Sequence, residues 1–253
     1  MILVFLAVPG QAGSKLHIQA EGDWKASKAD VLKVLHSAAM PLWRQFPDRD
    51  LSVITVTPQG GPIVLFDRGS EGEYRVRLNT GGTYWSQYAY QFSHEFCHIL
   101  CNYKEGGAQN KWFEEAICEM ASLYSMRRMA EDWETKPPYP NWRDYRRSLH
   151  AYAQNYIDQA EVPADMAAWY RANATHLSKN ATDRPKNRVL AAKLLPMFER
   201  DPSLWRAVAY LNMGEDRKER DFKGHMKAWY EHAPRKFGPQ IIEIAEILGV
   251  AGR

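Results

Sequence analysis

Tyr88-Ala89-Tyr90-Gln91-Phe92-Ser93-His94-Glu95-Phe96-Cys97-His98-Ile99-Leu100-Cys101 is the stretch on which the reading of this chain turns. On a helix, positions i and i+4 stand one above the other on the same face. The imidazoles of His94 and His98 can therefore reach one metal ion, with Glu95 pointing beside it. Such a His-Glu-x-x-His pattern suits two histidine ligands to zinc and a glutamate acting as general base on a water that the metal activates. An ordinary amphipathic helix with two partly buried histidines carries the same five letters, so the reading needs support from elsewhere in the chain.

That support comes seventeen residues after His98. A catalytic zinc takes three protein ligands and keeps a fourth position open, and Glu115 lies in Lys111-Trp112-Phe113-Glu114-Glu115-Ala116-Ile117-Cys118-Glu119. Between the two segments, Gly106-Gly107 breaks the chain, and Asn102 and Asn110 suit the end of one helix and the start of the next. A helix, a tight loop and a second helix folding back would bring a carboxylate from the second helix onto the two histidines. Glu119, one turn beyond Glu115 on the same face, is placed to accept the spare ring N–H of His94 and so fix its tautomer. Cys101 shares the His94/His98 face at i+7 and is the rival third ligand, ranked lower because thiolate ligation is commoner in closed structural zinc sites.

With these residues in hand, the chain resembles the gluzincin branch of the zinc metallopeptidases, within the peptidase MA-like superfamily. Glu115-Ala-Ile-Cys-Glu119 is similar to the thermolysin-type pattern of a ligand Glu followed four residues on by a histidine-orienting carboxylate. Trp112-Phe-Glu-Glu115-Ala is similar to the W-x-N-E-G segment of the related aminopeptidases, with Glu114 in place of Asn and Ala116 in place of Gly. The Gly-x-Met-Glu-Asn motif that anchors a substrate's free amine in those aminopeptidases is missing, so aminopeptidase specificity is not implied. The resemblance spans about residues 73–125. It implies a zincin-like fold, Zn2+ as cofactor, and a peptide or protein as substrate. It also implies an edge strand just before the metal-site helix, Arg75–Thr80 here, against which a substrate backbone would pair. An oxyanion donor about sixty residues past the third ligand is implied as well: Tyr170 or His176, with Arg184 or Arg188 if the register differs.

Composition sets the outer bounds. The chain has 253 residues, 45% of them hydrophobic, enough for one large domain or two lobes. A net charge of +3 is too small and too dispersed to point to nucleic acid, and no apolar run approaches the roughly 18 residues that cross a bilayer. Met1–Pro9 is apolar and small residues follow to Gly13, like a truncated secretory signal over 1–13 without its basic start. This makes secretion or a periplasmic location the expectation, with a buried first strand and a cytoplasmic protein as the alternative. Three cysteines, Cys97, Cys101 and Cys118, fall on the two metal-site helices. An odd, clustered set reads as buried free thiols, with a bridge from Cys118 to either of the others open if the protein is exported.

Alternating apolar and polar residues predict strands at 15–20, 51–57, 63–66 and 73–78, the last two as a hairpin-like pair, and 3.6-residue periodicity predicts a helix over 26–46. After Lys136-Pro-Pro-Tyr-Pro140, helical periods dominate, at about 142–159, 164–178, 187–200, 203–211, 219–232 and 238–248. The fold class expected is α+β: an α/β lobe over 14–135 with a small mixed sheet and the metal-site helix pair, then an all-helical lobe over 136–253. Recurring Trp and Tyr in the second half read as core or lobe-interface aromatics. Beside the peptidase stand two alternatives, a zinc-binding module without catalysis and a helical interaction protein without metal.

Overall fold

The computed structural model describes residues 15–102, 108–213 and 220–251. The apolar opening 1–13 and the Gly106-Gly107 breaker lie outside the described residues. Within them the chain is α+β. Strands β1 (Ile18–Ala20), β2 (Ile54–Thr57), β3 (Ile63–Val64) and β4 (Tyr74–Arg77) form a four-stranded mixed sheet in the order β1-β2-β4-β3. Alternation explains their faces: Ile54, Val56, Tyr74 and Val76 are buried, while Arg75 is exposed.

β1, β2 and β4 run parallel, and β3 returns antiparallel to β4 with Val64 opposite Val76. This corrects the expectation for Arg75–Thr80. β4 is an interior strand, because the short β3 has folded back onto the side where a substrate was expected; the outer strand is β3. Gly61 permits this return, since a Cβ there would collide with the Arg77 carbonyl.

Helix α1 (Lys28–Trp43) buries Val31, Val34, Leu35, Ala38 and Leu42, the stripe its periodicity predicts. Helices α2 (Trp85–Leu100) and α3 (Lys111–Thr135) follow the sheet and pack on each other and on α1. Asn102, at φ +59°, turns the chain out of α2 in the left-handed region, as its residue type suggests. Arg49 holds the same end, its guanidinium donating to the carbonyls of Leu100 (2.7 Å) and Ile99 (3.1 Å) that the helix leaves without partners. Asn110 precedes α3, but its side-chain amide donates to the Arg220 carbonyl and does not cap the helix.

The second half is helical, as expected: α4 (Arg146–Asp158), α5 (Met166–Lys179), α6 (Arg184–Arg200), α7 (Trp205–Val208), α8 (Phe222–His232) and α9 (Gly238–Ile247). Residues 142–145, expected as the start of α4, belong to a 3-10 turn over Pro140–Tyr145, and α7 is one turn long. α4 and α6 lie against α3, so α3 is buried on most sides between Trp112 and Met126. One cluster of buried residues runs from Val34 and Phe96 through Phe113 to Leu194 and Trp229, across the boundary expected at Lys136. Among the described residues no helix is long and apolar enough to cross a membrane.

Candidate metal centre

α2 and α3 place their polar side chains on a shared buried strip. His94 and His98 come from α2; Glu114, Glu115 and Cys118 come from α3. The imidazoles of His94 and His98 stand edge to face, 5.1 Å apart, and their Nε2 atoms both face the Glu115 carboxylate. His94 Nε2 lies 3.2 Å from Glu115 Oε2, and His98 Nε2 lies 3.7 Å from Oε1. Donors bonded to a tetrahedral ion at about 2.0–2.1 Å stand about 3.3–3.4 Å from one another. The His94 contact is close to that spacing, and the His98 contact, made to the other oxygen, is longer.

The strip is largely withdrawn from water, with side-chain exposures of 17% for His94, 7% for His98 and 10% for Glu115. Burial alone would raise the Glu115 pKa, but the hydrogen bonds and charges of the two imidazoles hold it well below the usual carboxylate range. Burial alone would lower that of His98, yet Glu114 and Glu115 together raise it well above the ordinary imidazole value. These opposed shifts belong to a carboxylate and an imidazole that share charge, the same donors that a cation would draw in.

Glu114 is the residue that sequence reasoning missed. His98 Nδ1 and Glu114 Oε1 are 2.6 Å apart, and Asn212 Nδ2 donates to Glu114 Oε2 at 2.5 Å. With Nδ1–H given to Glu114, loss of the Nε2 proton to an incoming cation would leave the His98 lone pair on the nitrogen that faces Glu115. Glu119 does not fill the role expected of it. Its two carboxylate oxygens accept from the Tyr90 hydroxyl (2.5 Å) and from Arg188 Nε (3.0 Å), on the side of α3 that meets α6. The adjacent pair Glu114-Glu115 was the available signal, because consecutive helical residues stand about 100° apart and can flank one imidazole on two sides.

No protein-family model, no curated protein and no solved structure matches this chain.

Cys118 adds a donor that the sequence pattern does not single out as a ligand. Its sulfur and the ring nitrogens of His94 and His98 all lie within 4.8 Å of one another, a group able to hold a metal ion. The cysteine beside the histidines is thus Cys118, not Cys101, because α3 crosses α2 with its 115–118 turn against the His94/His98 face. All three cysteines are free and buried, as expected for packed thiols.

Glu95 is buried too, and its Oε2 accepts the backbone N–H of Val64 at 2.8 Å. Val64 lies in β3, the outer strand, so the carboxylate is tied to the rim of the sheet. Of the residues weighed as oxyanion donors, Arg188 bonds Glu119, one turn beyond Glu115. Tyr170 stacks on Trp112 with centroids 5.6 Å apart, His176 pairs with Asp183 at 2.7 Å, and Arg184 is exposed at the start of α6.

Proposed function

We propose that this chain is a zinc-dependent peptidase of the gluzincin type, with His94, His98 and Glu115 as metal ligands and Glu95 as general base. The observation that carries the reading is the convergence of two Nε2 atoms on one buried carboxylate, at 3.2 and 3.7 Å. When bound, zinc supplies Lewis-acid polarisation of a carbonyl and lowers the pKa of water.

The protein's own part follows from its contacts. Glu114 and Asn212 orient His98. Glu95 Oε1 takes a proton from the attacking water and returns it to the leaving amine. An extended peptide laid along β3 meets the Val64 N–H with a carbonyl oxygen and displaces Glu95 Oε2 from it.

Cys118 favours a second reading. A thiolate added to His94, His98 and Glu115 would close the coordination shell and leave a structural, non-catalytic zinc site. Metal analysis decides whether zinc is held, and incubation of the full chain with a mixed peptide pool, read by mass spectrometry, decides between the readings. Cleavage by wild type and none by Glu95→Gln, with equal zinc in both, is the expected result. Bound zinc without cleavage by either protein selects the structural site, and equal metal in wild type and a His94→Ala/His98→Ala variant removes both readings.

A further inference from the structure

Cys97, Cys101 and Cys118 form a second donor group on the inner side of the histidine pair. Their sulfurs lie within 4.8 Å of one another, and those of Cys97 and Cys101 are 3.9 Å apart. All three side chains are fully buried between α2 and α3. At metal–sulfur bonds of about 2.3 Å, three thiolates around an ion in their own plane stand about 4.0 Å apart.

We propose that these three cysteines form a sulfur-only site for a soft d10 cation, bound three-coordinate, with monovalent copper as the species that fits it. Donor softness selects the ion class: thiolate sets prefer such cations to hard, oxygen-seeking ones. Donor number selects within the class. A tetrahedral ion asks for a fourth ligand, whereas the group holds three donors among the described residues. Cys118 also belongs to the group with His94 and His98. An ion that enters past the partly exposed His94 therefore reaches the inner sulfurs through a ligand common to both sites. Each thiol that ligates gives up its proton to bulk water, and no oxidant or reductant is consumed. This site does not depend on the peptidase reading, because none of its three ligands takes part in that chemistry.

The test is an anaerobic titration of the reduced full chain with copper(I), delivered from a competing chelator and followed by X-ray absorption at the copper edge. One copper per chain with a first shell of three sulfurs at about 2.3 Å is expected. The His94→Ala/His98→Ala variant should keep that shell, and Cys101→Ser should weaken retention at least tenfold. Nitrogen in the wild-type shell, loss of copper in the double histidine variant, or unchanged retention in Cys101→Ser would each overturn the site. If Cys101→Ser fails to fold by circular dichroism, the sulfur count in the wild type and in the double histidine variant decides alone.

Discussion

The Nδ1 atom of His98 lies 2.6 Å from Oε1 of Glu114, while the same ring's Nε2 faces the neighbouring Glu115. One imidazole is thus gripped on two sides by consecutive residues of α3. Glu114→Gln keeps the shape but removes the charge that sets the tautomer of His98. Zinc affinity should fall about 10–100-fold, measured by competition with a chromophoric chelator. An unchanged affinity would mean that Glu114 only packs against the ring.

The third ligand can be separated from its neighbour by a pair of variants. Glu115→Ala should lower zinc affinity by more than Glu114→Gln does, whereas Cys118→Ser should leave zinc content near that of wild type. The reverse ranking would assign the ligand to Cys118 and support the closed structural site.

Glu95→Gln preserves the acceptor that receives the Val64 N–H at 2.8 Å but cannot take a proton at neutral pH. Zinc content and thermal stability should stay near wild type, while the rate of peptide hydrolysis drops about a hundred- to ten-thousand-fold. Turnover that survives the substitution takes Glu95 out of the reaction.

Glu119 and Arg188 form an ion pair at 3.0 Å, with side chains 2% and 13% exposed. Arg188 also lies over the Tyr156 ring, 3.9 Å from its centroid. Removing one partner of such a pair strands the other charge. Arg188→Met should destabilise the fold by about 3–5 kcal/mol in denaturant unfolding, and adding Glu119→Gln should recover part of that loss. Additive losses in the double variant would show that the pair is not coupled.

Asp183 precedes α6 and accepts the Lys186 backbone N–H at 3.1 Å. Burial alone would raise its pKa, but that backbone hydrogen bond, the one from His176 and the nearby charge of Lys186 lower it. Its folded value therefore lies below its unfolded value of about 4. The contribution is complete above that value and vanishes as pH falls through the folded value. Asp183→Ala should cost about 1 kcal/mol at neutral pH and progressively less in acid, read as the gap between wild-type and variant melting temperatures. A gap that does not narrow in acid would place the effect elsewhere.

Local pattern was enough for the elements and for the first half of the site. Val31, Val34, Leu35 and Ala38 announce α1, Val76 between Arg75 and Arg77 announces β4, and the i, i+4 spacing of His94 and His98 fixes their common face whatever the rest of the chain does. Each of these depends only on the repeat of a helix or a strand, which the order of residues specifies directly. The course of β3 past β4, the exchange of Glu119 for Glu114 behind the histidines, the approach of Cys118 and the tether from Val64 to Glu95 lie beyond that reach. They depend on the angle and depth at which α3 crosses α2 and on the reversal of the chain at Gly61. Those are set by packing among α1, α4, α6 and the sheet, between residues far apart in the sequence, and no periodicity encodes them.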